Sequence, residues 1–407
     1  MRRTGRIFYT LIWALAVSVV CAQRVSATDE FSWRLLGAVT QEKPSENRVV
    51  SPTGLFAILG PLYLGSGGET RREICDTLAW NGSDEALSAR LAALWRPAAE
   101  KSGSQTYWTS ETAAWTCPGA VLDTEFLSRV EPARIQFAAV DFAQERQAAS
   151  DAVSAWFAER LGEKFAGAGD LFSPDTRLVL ANATAFRGIW KKPFSAEATR
   201  NEYFTDLDGN DGKVAMMRKR ELVPYAQTDR FRWISLPYAD ERFAMEIILP
   251  DERLAFDLFE EQLTDGEVEQ VKSQAVMTEL DIRIPRFAFD ADLRLDTALI
   301  RLGMPSAFGV SADFSRLCGA EPLFVSKIIQ KISVDVSESG TEAAAATSAA
   351  LLQKSAVPPL AELFAADHPF VFVIRSNETG EAIFIGRFVR PTQALQKSEA
   401  DIGGMIR

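Results

Sequence analysis

Few side chains in this sequence could do chemistry on another molecule. There is one histidine, His368, and there are four cysteines, at positions 21, 75, 117 and 318. A single imidazole cannot build an HExxH zinc site or a multi-histidine centre, and any Ser-His-Asp triad would have to use it. No Gly-X-Ser-X-Gly elbow accompanies it. The cysteines form no CxxC pair and no disulfide framework. These absences point to no metal, no cofactor and no catalytic residue, and so away from an enzyme. One residue invites chemistry done to the chain instead. Lys354 is the only lysine or arginine between Lys331 and Arg375. A trypsin-like protease, whose specificity pocket holds a carboxylate, would cut after it.

Lys354 lies in the segment Glu338 to Pro359, ESGTEAAAATSAALLQKSAVPP, between two strand-like stretches, Lys331–Val336 and Pro369–Arg375. That is long for a connection between strands. Three readings compete: a flexible linker, a helix favoured by Ala, Glu, Leu and Gln, and an exposed loop able to become a strand. The flanking strands lack separate domains to link, and the alternation favours the third. Thr341, Ala343, Ala345, Thr347, Ala349 and Leu351 form one phase, all small or apolar. The other phase holds Glu342, Ala344, Ala346, Ser348, Ala350 and Leu352, and carries the only charge before Gln353. A strand entering a sheet buries alternate residues, so this segment could enter without burying a charge.

The rest of the chain must position that segment. Its 407 residues are 47% hydrophobic and 24% charged, enough for a sizeable core, with no linker or repeat to divide it. Helical spacing marks Ser51–Leu64, Glu69–Leu78 and Asp141–Phe165. Strand patterns follow at Arg232–Leu236, Phe243–Leu249 and Leu280–Phe289, then in a hairpin, Pro369–Arg375 and Ala382–Val389, closed by Ser376–Gly380. Helices first and mostly antiparallel strands later predict a single α+β domain. Acidic residues outnumber basic ones 55 to 44, a net charge of −11, which argues against a nucleic-acid partner.

Arg2, Arg3 and Arg6 precede an apolar run from Ile7 to Cys21, shorter than the roughly 20 residues of a membrane span. Small residues at Ala22 and Ala27 offer cleavage sites, so residues 1–22, or as far as 27, read as a signal peptide. The expectation is a secreted, extracellular protein, free of the membrane once cleaved. Sequons at Asn81 and Asn377 are then glycosylation candidates, while Asn182, inside the run Leu178–Asn182, should be buried and bare.

From about Glu30 to Pro391 the sequence resembles the serpins. Glu338-Ser339-Gly340-Thr341-Glu342-Ala343-Ala344-Ala345-Ala346-Thr347 resembles the hinge of an inhibitory serpin's reactive loop. Asp367-His368-Pro369-Phe370-Val371-Phe372, Gly386-Arg387-Phe388 and Pro391 resemble the C-terminal signature. Asn182 to Trp190 with Pro193-Phe194, Leu323 to Lys327, and Leu236-Pro237-Tyr238 also match, in the family's order. The resemblance implies three β-sheets and eight or nine helices in one domain, residues 28–391, with a reactive loop at about 338–359 standing off the body. Residues 392–407 form a tail with no assigned role. It also implies a monomer that traps a serine protease as a covalent acyl-enzyme while the cleaved loop inserts into the main sheet.

Family spacing places the reactive bond sixteen residues after Glu338, at Lys354–Ser355. A slipped register would put Leu351 or Leu352 before the cut and favour chymotrypsin-like enzymes. Asn47, Ser51 and Asn182 match the cluster beneath the sheet's opening, the shutter, and Trp190 matches the tryptophan at its top. Two positions depart: Gln330 stands where many serpins have histidine, and Gly54 where a serine is common. A glutamine amide both donates and accepts. The alternatives are a non-inhibitory serpin (carrier, chaperone or storage protein), which usually carries an unfavourable hinge, and a serine hydrolase, which His368 alone does not support. The short basic clusters Arg71-Arg72, Lys191-Lys192 and Arg218-Lys219-Arg220, on an acidic chain, argue against glycosaminoglycan binding.

Overall fold

The computed structural model describes residues 30–94, 106–167, 172–251, 255–319, 322–341 and 361–391. The expected signal peptide, the hinge residues Glu342, Ala343, Ala344, Ala345, Ala346 and Thr347, the bond Lys354–Ser355 and the C-terminal tail lie outside them. In chain order the strands are β1 Arg48–Val50, β2 Tyr107–Thr116, β3 Gln136–Ala139, β4 Leu178–Ile189, β5 Arg200–Thr205, β6 Asp211–Gln227, β7 Phe231–Pro237 and β8 Phe243–Pro250. There follow β9 Val276–Pro285, β10 Phe287–Arg294, β11 Val325–Val336, β12 Gly340–Thr341, β13 Glu362–Ala365, β14 Phe370–Ser376 and β15 Ala382–Phe388.

Two long apolar runs dominate one sheet. β4 and β11 are each 12 residues long and mostly buried on both faces, as central strands between covered faces should be. They pair in parallel within a six-stranded sheet of order β10-β11-β12-β4-β2-β3. The inner face meets helix Pro52–Gly65, whose residues are all buried, in keeping with its lack of a polar stripe. Ser51 caps that helix, accepting from the Gly54 N–H, with Pro52 in its first turn. Helix Arg146–Leu161 covers the outer face. It is shorter than the expected Asp141–Phe165. The Asp141 side chain accepts from the N–H groups of Ala143 and Gln144 and holds a turn there instead, and Gly162, at φ +93°, ends the helix.

The other strands form a nine-stranded network, β1-β15-β14-β8-β7-β6-β9-β13, with β5 paired to β6. Strand β6 runs for 17 residues and joins two parts. Its residues 211–216 pair with β5, residues 216–225 with β9, and only its last three residues with β7. The expected three sheets therefore appear, among the described residues, as two hydrogen-bonded networks. The hairpin near the C-terminus forms as β14 and β15. The single strand expected over Leu280–Phe289 does not. It is two strands, β9 and β10, in different sheets, and the chain crosses between them at Arg286, whose N–H donates to Ala215 before its side chain turns to Glu338. Periodicity continues through the crossing, so alternation alone could not reveal it.

Candidate functional site

The seam between β4 and β11 is closed over most of its length. The two strands pair directly from Val325 opposite Leu178 to Val334 opposite Phe186. Beyond that they part, and β12 enters between them, antiparallel to both: Thr341 lies opposite Val336 on one side and Gly188 on the other. The chain reaches this position by reversing at once after β11. Ser337 N–H donates to Gly340 O (2.7 Å) and Gly340 N–H to Ser337 O (3.2 Å). Gly340 has φ +149°, and a Cβ there would lie 1.9 Å from the Gly188 carbonyl oxygen. Only glycine fits.

Aromatic and charged groups hold this entry. Trp190 stacks on Tyr238, with centroids 4.6 Å apart and planes 9° from parallel. Its Nε1 donates to Ser337 O (2.9 Å) and its backbone N–H to Ser339 O (3.0 Å). The Tyr238 hydroxyl bonds Thr341 Oγ1 at 2.8 Å, and both residues are fully buried. Burial pushes the Tyr238 phenol well above its ordinary range, so it stays neutral. Glu338 accepts from Thr199 Oγ1 (2.8 Å) and from Arg286, whose Nε lies 3.1 Å from Oε2. Burial alone would raise its carboxyl pKa, but hydrogen bonds from Arg286 and Thr199 outweigh that and hold it below the usual value. Glu338 to Thr341 are thus seated in the sheet rather than standing off the body.

Lower on the seam a polar cluster crosses it. Gln330 and Asn182 face each other in register, and Gln330 Nε2 donates to Asn182 Oδ1 (3.1 Å) and to Ser51 O (3.0 Å). Gln330 Oε1 accepts from Ser51 N–H (2.9 Å), so one amide satisfies both backbone groups of the helix cap. Asn182 Nδ2 passes the chain of bonds on to Ser110 Oγ (2.9 Å) and Glu111 O (3.1 Å), and Ser51 Oγ donates to Ile383 O (2.7 Å). Ser51, Asn182 and Gln330 are each 0% exposed. A Cβ on Gly54 would lie 2.2 Å from Asn182 Oδ1 and 3.0 Å from Gln330 Nε2. The two departures from the family pattern are therefore one: the amide pair occupies the space that a larger residue at position 54 would need.

Three of the five residues expected around the opening meet here, and Trp190 sits at its top. Asn47 sits elsewhere. Its Oδ1 accepts from Val389 N–H (2.7 Å) and Arg390 N–H (3.0 Å), pinning the end of β15. Asn182 is buried with its amide engaged, so a glycan there has no room. The nitrogens of His368 meet Asp367 Oδ1 (2.9 Å) and Pro250 O (3.0 Å), contacts that tie down a strand end. Six of the seven residues in the basic clusters are ion-paired, Arg71 with Asp84, Arg72 with Glu69, Lys191 with Glu241, Arg218 with Glu202, Lys219 with Glu221 and Arg220 with Glu279, while Lys192 donates to Arg220 O.

Sequence reasoning missed several residues of the seam. Lys219 is buried beside the entry, its Nζ 4.4 Å from the Phe194 ring centroid and 5.3 Å from that of Trp190. Burial lowers its pKa from the ordinary lysine value to about 8, despite Glu221 at 2.7 Å. Arg286, Thr199 and the hydroxyl of Tyr238 complete the entry. Each is far in sequence from the hinge, and no local pattern marks them.

A family model described as serpin (serine protease inhibitor) matches residues 26–391. The leukocyte elastase inhibitor of Homo sapiens is 32% identical over 381 residues, covering 91% of this chain and 100% of that protein. An uncharacterized serpin-like protein of Thermococcus kodakarensis is 32% identical over 372 residues, covering 90% of this chain and 85% of that protein. The native structure of a thermophilic serpin, tengpin, superposes with a TM-score of 0.81 at 24% identity, covering 90% of this chain and 94% of that one. The relatives overturn the expected location. The matched relatives, a leukocyte elastase inhibitor and an archaeal serpin-like protein, point to a cytoplasmic rather than a secreted protein. The expectation of a secreted, extracellular protein is withdrawn.

Proposed function

Since the chain belongs to the serpin family and has protease-inhibitor relatives, we propose that it inhibits trypsin-like serine proteases as a suicide substrate. The protease serine attacks the Lys354 carbonyl. The Lys354–Ser355 bond breaks, Ser355 leaves with a new amine, and Lys354 remains esterified to the protease. Water would normally hydrolyse that ester. Freed at one end, the loop instead enters the seam behind Thr341 and carries the protease with it before hydrolysis is complete.

The observation that carries this reading is the register of β12. Extending the pairing of Thr341 with Val336 and Gly188 puts Ala343 between Val334 and Phe186, Ala345 between Ile332 and Thr184, and Thr347 between Gln330 and Asn182. Phe186, Thr184 and Asn182 are buried, and Phe186 faces the main core, so this phase of the loop would be inward. The other phase would pass Ala346, Ser348 and Ala350 opposite Ala183, Ala181 and Val179, which lie under helix Arg146–Leu161. Both phases need small residues, which accounts for an alanine run rather than a simple alternation. Glu342, the one charge, would come beside Arg187.

The test is to mix the chain with trypsin and run a denaturing gel. A band at the summed mass, with a released fragment beginning at Ser355, is expected, and Lys354→Ala should abolish both. Trapping that survives Lys354→Ala would sink the assignment of the bond. Clean cleavage without a covalent band would mean that hydrolysis outruns insertion.

A further inference from the structure

Asn81 is the only asparagine of the chain followed by glycine; the other five, at 47, 182, 201, 210 and 377, precede Arg, Ala, Glu, Asp and Glu. A glycine amide has no side chain to shield its nitrogen and turns freely toward the residue before it. Asn81-Gly82 lies in neither helix nor strand, between helix Gly68–Thr77 and helix Asp84–Leu94. Asn81 is exposed, and among the described residues neither its side-chain amide nor the Gly82 N–H has a hydrogen-bond partner. The other asparagines are held. Asn182 is buried with its amide engaged. Asn377 Nδ2 donates to Glu241 O (2.7 Å) and Asn47 Nδ2 to Arg390 O (2.8 Å). Asn210 donates to Asp206 Oδ1 through its backbone N–H (2.8 Å), and Asn201 stands in β5, opposite Ala215.

Packing keeps the glycine at 82. A Cβ there would lie 2.4 Å from the Trp80 ring. That ring cannot simply swing away, because it packs edge-on against Phe56 of the buried helix Pro52–Gly65, with centroids 6.4 Å apart. We propose that Asn81-Gly82 is a site of spontaneous deamidation, through which the folded chain gains a carboxylate just before helix Asp84–Leu94. The reaction needs only water. The Gly82 nitrogen gives its proton to solvent base and attacks Asn81 Cγ; the bond from Cγ to the side-chain nitrogen breaks, and ammonia leaves. Water then opens the five-membered imide at either carbonyl. Breaking the new C–N bond gives aspartate. Breaking the old peptide bond gives isoaspartate, in which the chain runs through Cγ. Both products add a negative charge two residues before Ser83, whose Oγ accepts from the Ala86 N–H (3.2 Å) at the start of the helix, the end where the dipole favours an anion. Isoaspartate also lengthens the main chain by one carbon between Trp80 and Gly82.

The experiment holds the intact chain at neutral and at mildly alkaline pH and samples it by isoelectric focusing and by peptide mapping. A more acidic form should accumulate, faster at the higher pH because the attacking nitrogen must lose its proton. Mapping should place the conversion at residue 81 as a mixture of aspartate and isoaspartate. Asn81→Gln, whose longer side chain would have to close a six-membered ring, should lose the acidic form. Asn81→Asp should focus with that form from the start. An acidic form that persists in Asn81→Gln, or a conversion mapped to another asparagine, overturns the proposal. So does a pure aspartate product, since direct hydrolysis of the side chain makes no isoaspartate. A focusing pattern that stays unchanged while a free peptide of residues 78–86 converts completely also overturns it, because the folded loop would then be holding the pair apart.

Discussion

The two ends of one seam are held by different means. At the top, β4 and β11 have already parted, and two residues of the hinge lie between them. The contacts there, Trp190 on Tyr238, Tyr238 on Thr341 and Arg286 on Glu338, all favour the entered strand. At the centre, Gln330 and Asn182 bond directly across the seam, and every group they satisfy would need a new partner if a strand came between them. On the insertion reading proposed above, the top invites a strand and the centre resists it. Thr347 is the hinge residue that would have to break that bond, and its hydroxyl is the natural replacement partner for the two amides.

Changing Thr347 should therefore break the contrast most completely. Thr347→Arg would place a charge between Gln330 and Asn182, facing the core, where burial of an unpaired ion is prohibitive. Trypsin should still cut the loop, but the covalent complex on a denaturing gel should disappear. An unchanged complex would mean that insertion does not reach this depth or uses another register.

Smaller effects come from the centre itself. Gln330→Ala leaves the Ser51 backbone N–H and the Asn182 carbonyl oxygen buried without their partner, at roughly 1–3 kcal/mol. Gly54→Ser overpacks the same space and should cost a similar amount, about 1–3 kcal/mol. Both should show as a lower midpoint in urea with an unchanged slope. If Gly54→Ser were neutral, the account of positions 54 and 330 as one departure would be wrong.

At the top, Tyr238→Phe removes one buried hydrogen bond, worth about 1 kcal/mol. Its expected signature is faster amide exchange confined to Trp190 and Ser337–Thr341, with the centre unchanged. Exchange that rises equally at Gln330 would merge the two regions into one.

The smallest effect is a pH slope. The folded-state pKa of Lys219 lies near 8, below the ordinary 10.5, so between those values the unfolded chain binds the proton that the folded chain has lost. Stability should rise with pH through that window in the parent relative to Lys219→Met. Denaturant unfolding of both forms at pH 7 and at pH 9–10 reads the difference, and parallel behaviour would contradict a buried, partly discharged lysine.

How much of this was legible depended on range. An asparagine inside an apolar run and Ser-Pro opening a helix carry local signals that mark Asn182 as buried and Ser51 as a cap, but the placing of Ser51, Asn182 and Gly340 along the seam came from the resemblance to the serpins. Gln330 and Gly54 were visible as departures, but that they belong together needed coordinates, because they are far apart in sequence and meet only through Asn182. The break of Leu280–Phe289 into two sheets, the seating of Glu338 against Arg286 and Thr199, and the burial of Lys219 and Lys331 are tertiary. A lysine in an alternating strand looks like a solvent-facing residue until the helix above it is placed. Asn47 shows the converse: a residue type that fits the opening, bonded instead to the end of β15.

The most direct test of the account is the structure of the chain after trypsin has cut its loop. The prediction is that β12, now two residues long in the six-stranded sheet, is extended down the seam, with β4 and β11 parted along their length and Thr347 between Asn182 and Gln330. A cleaved chain in which Gln330 still bonds Asn182, or in which another loop residue faces them, would contradict it.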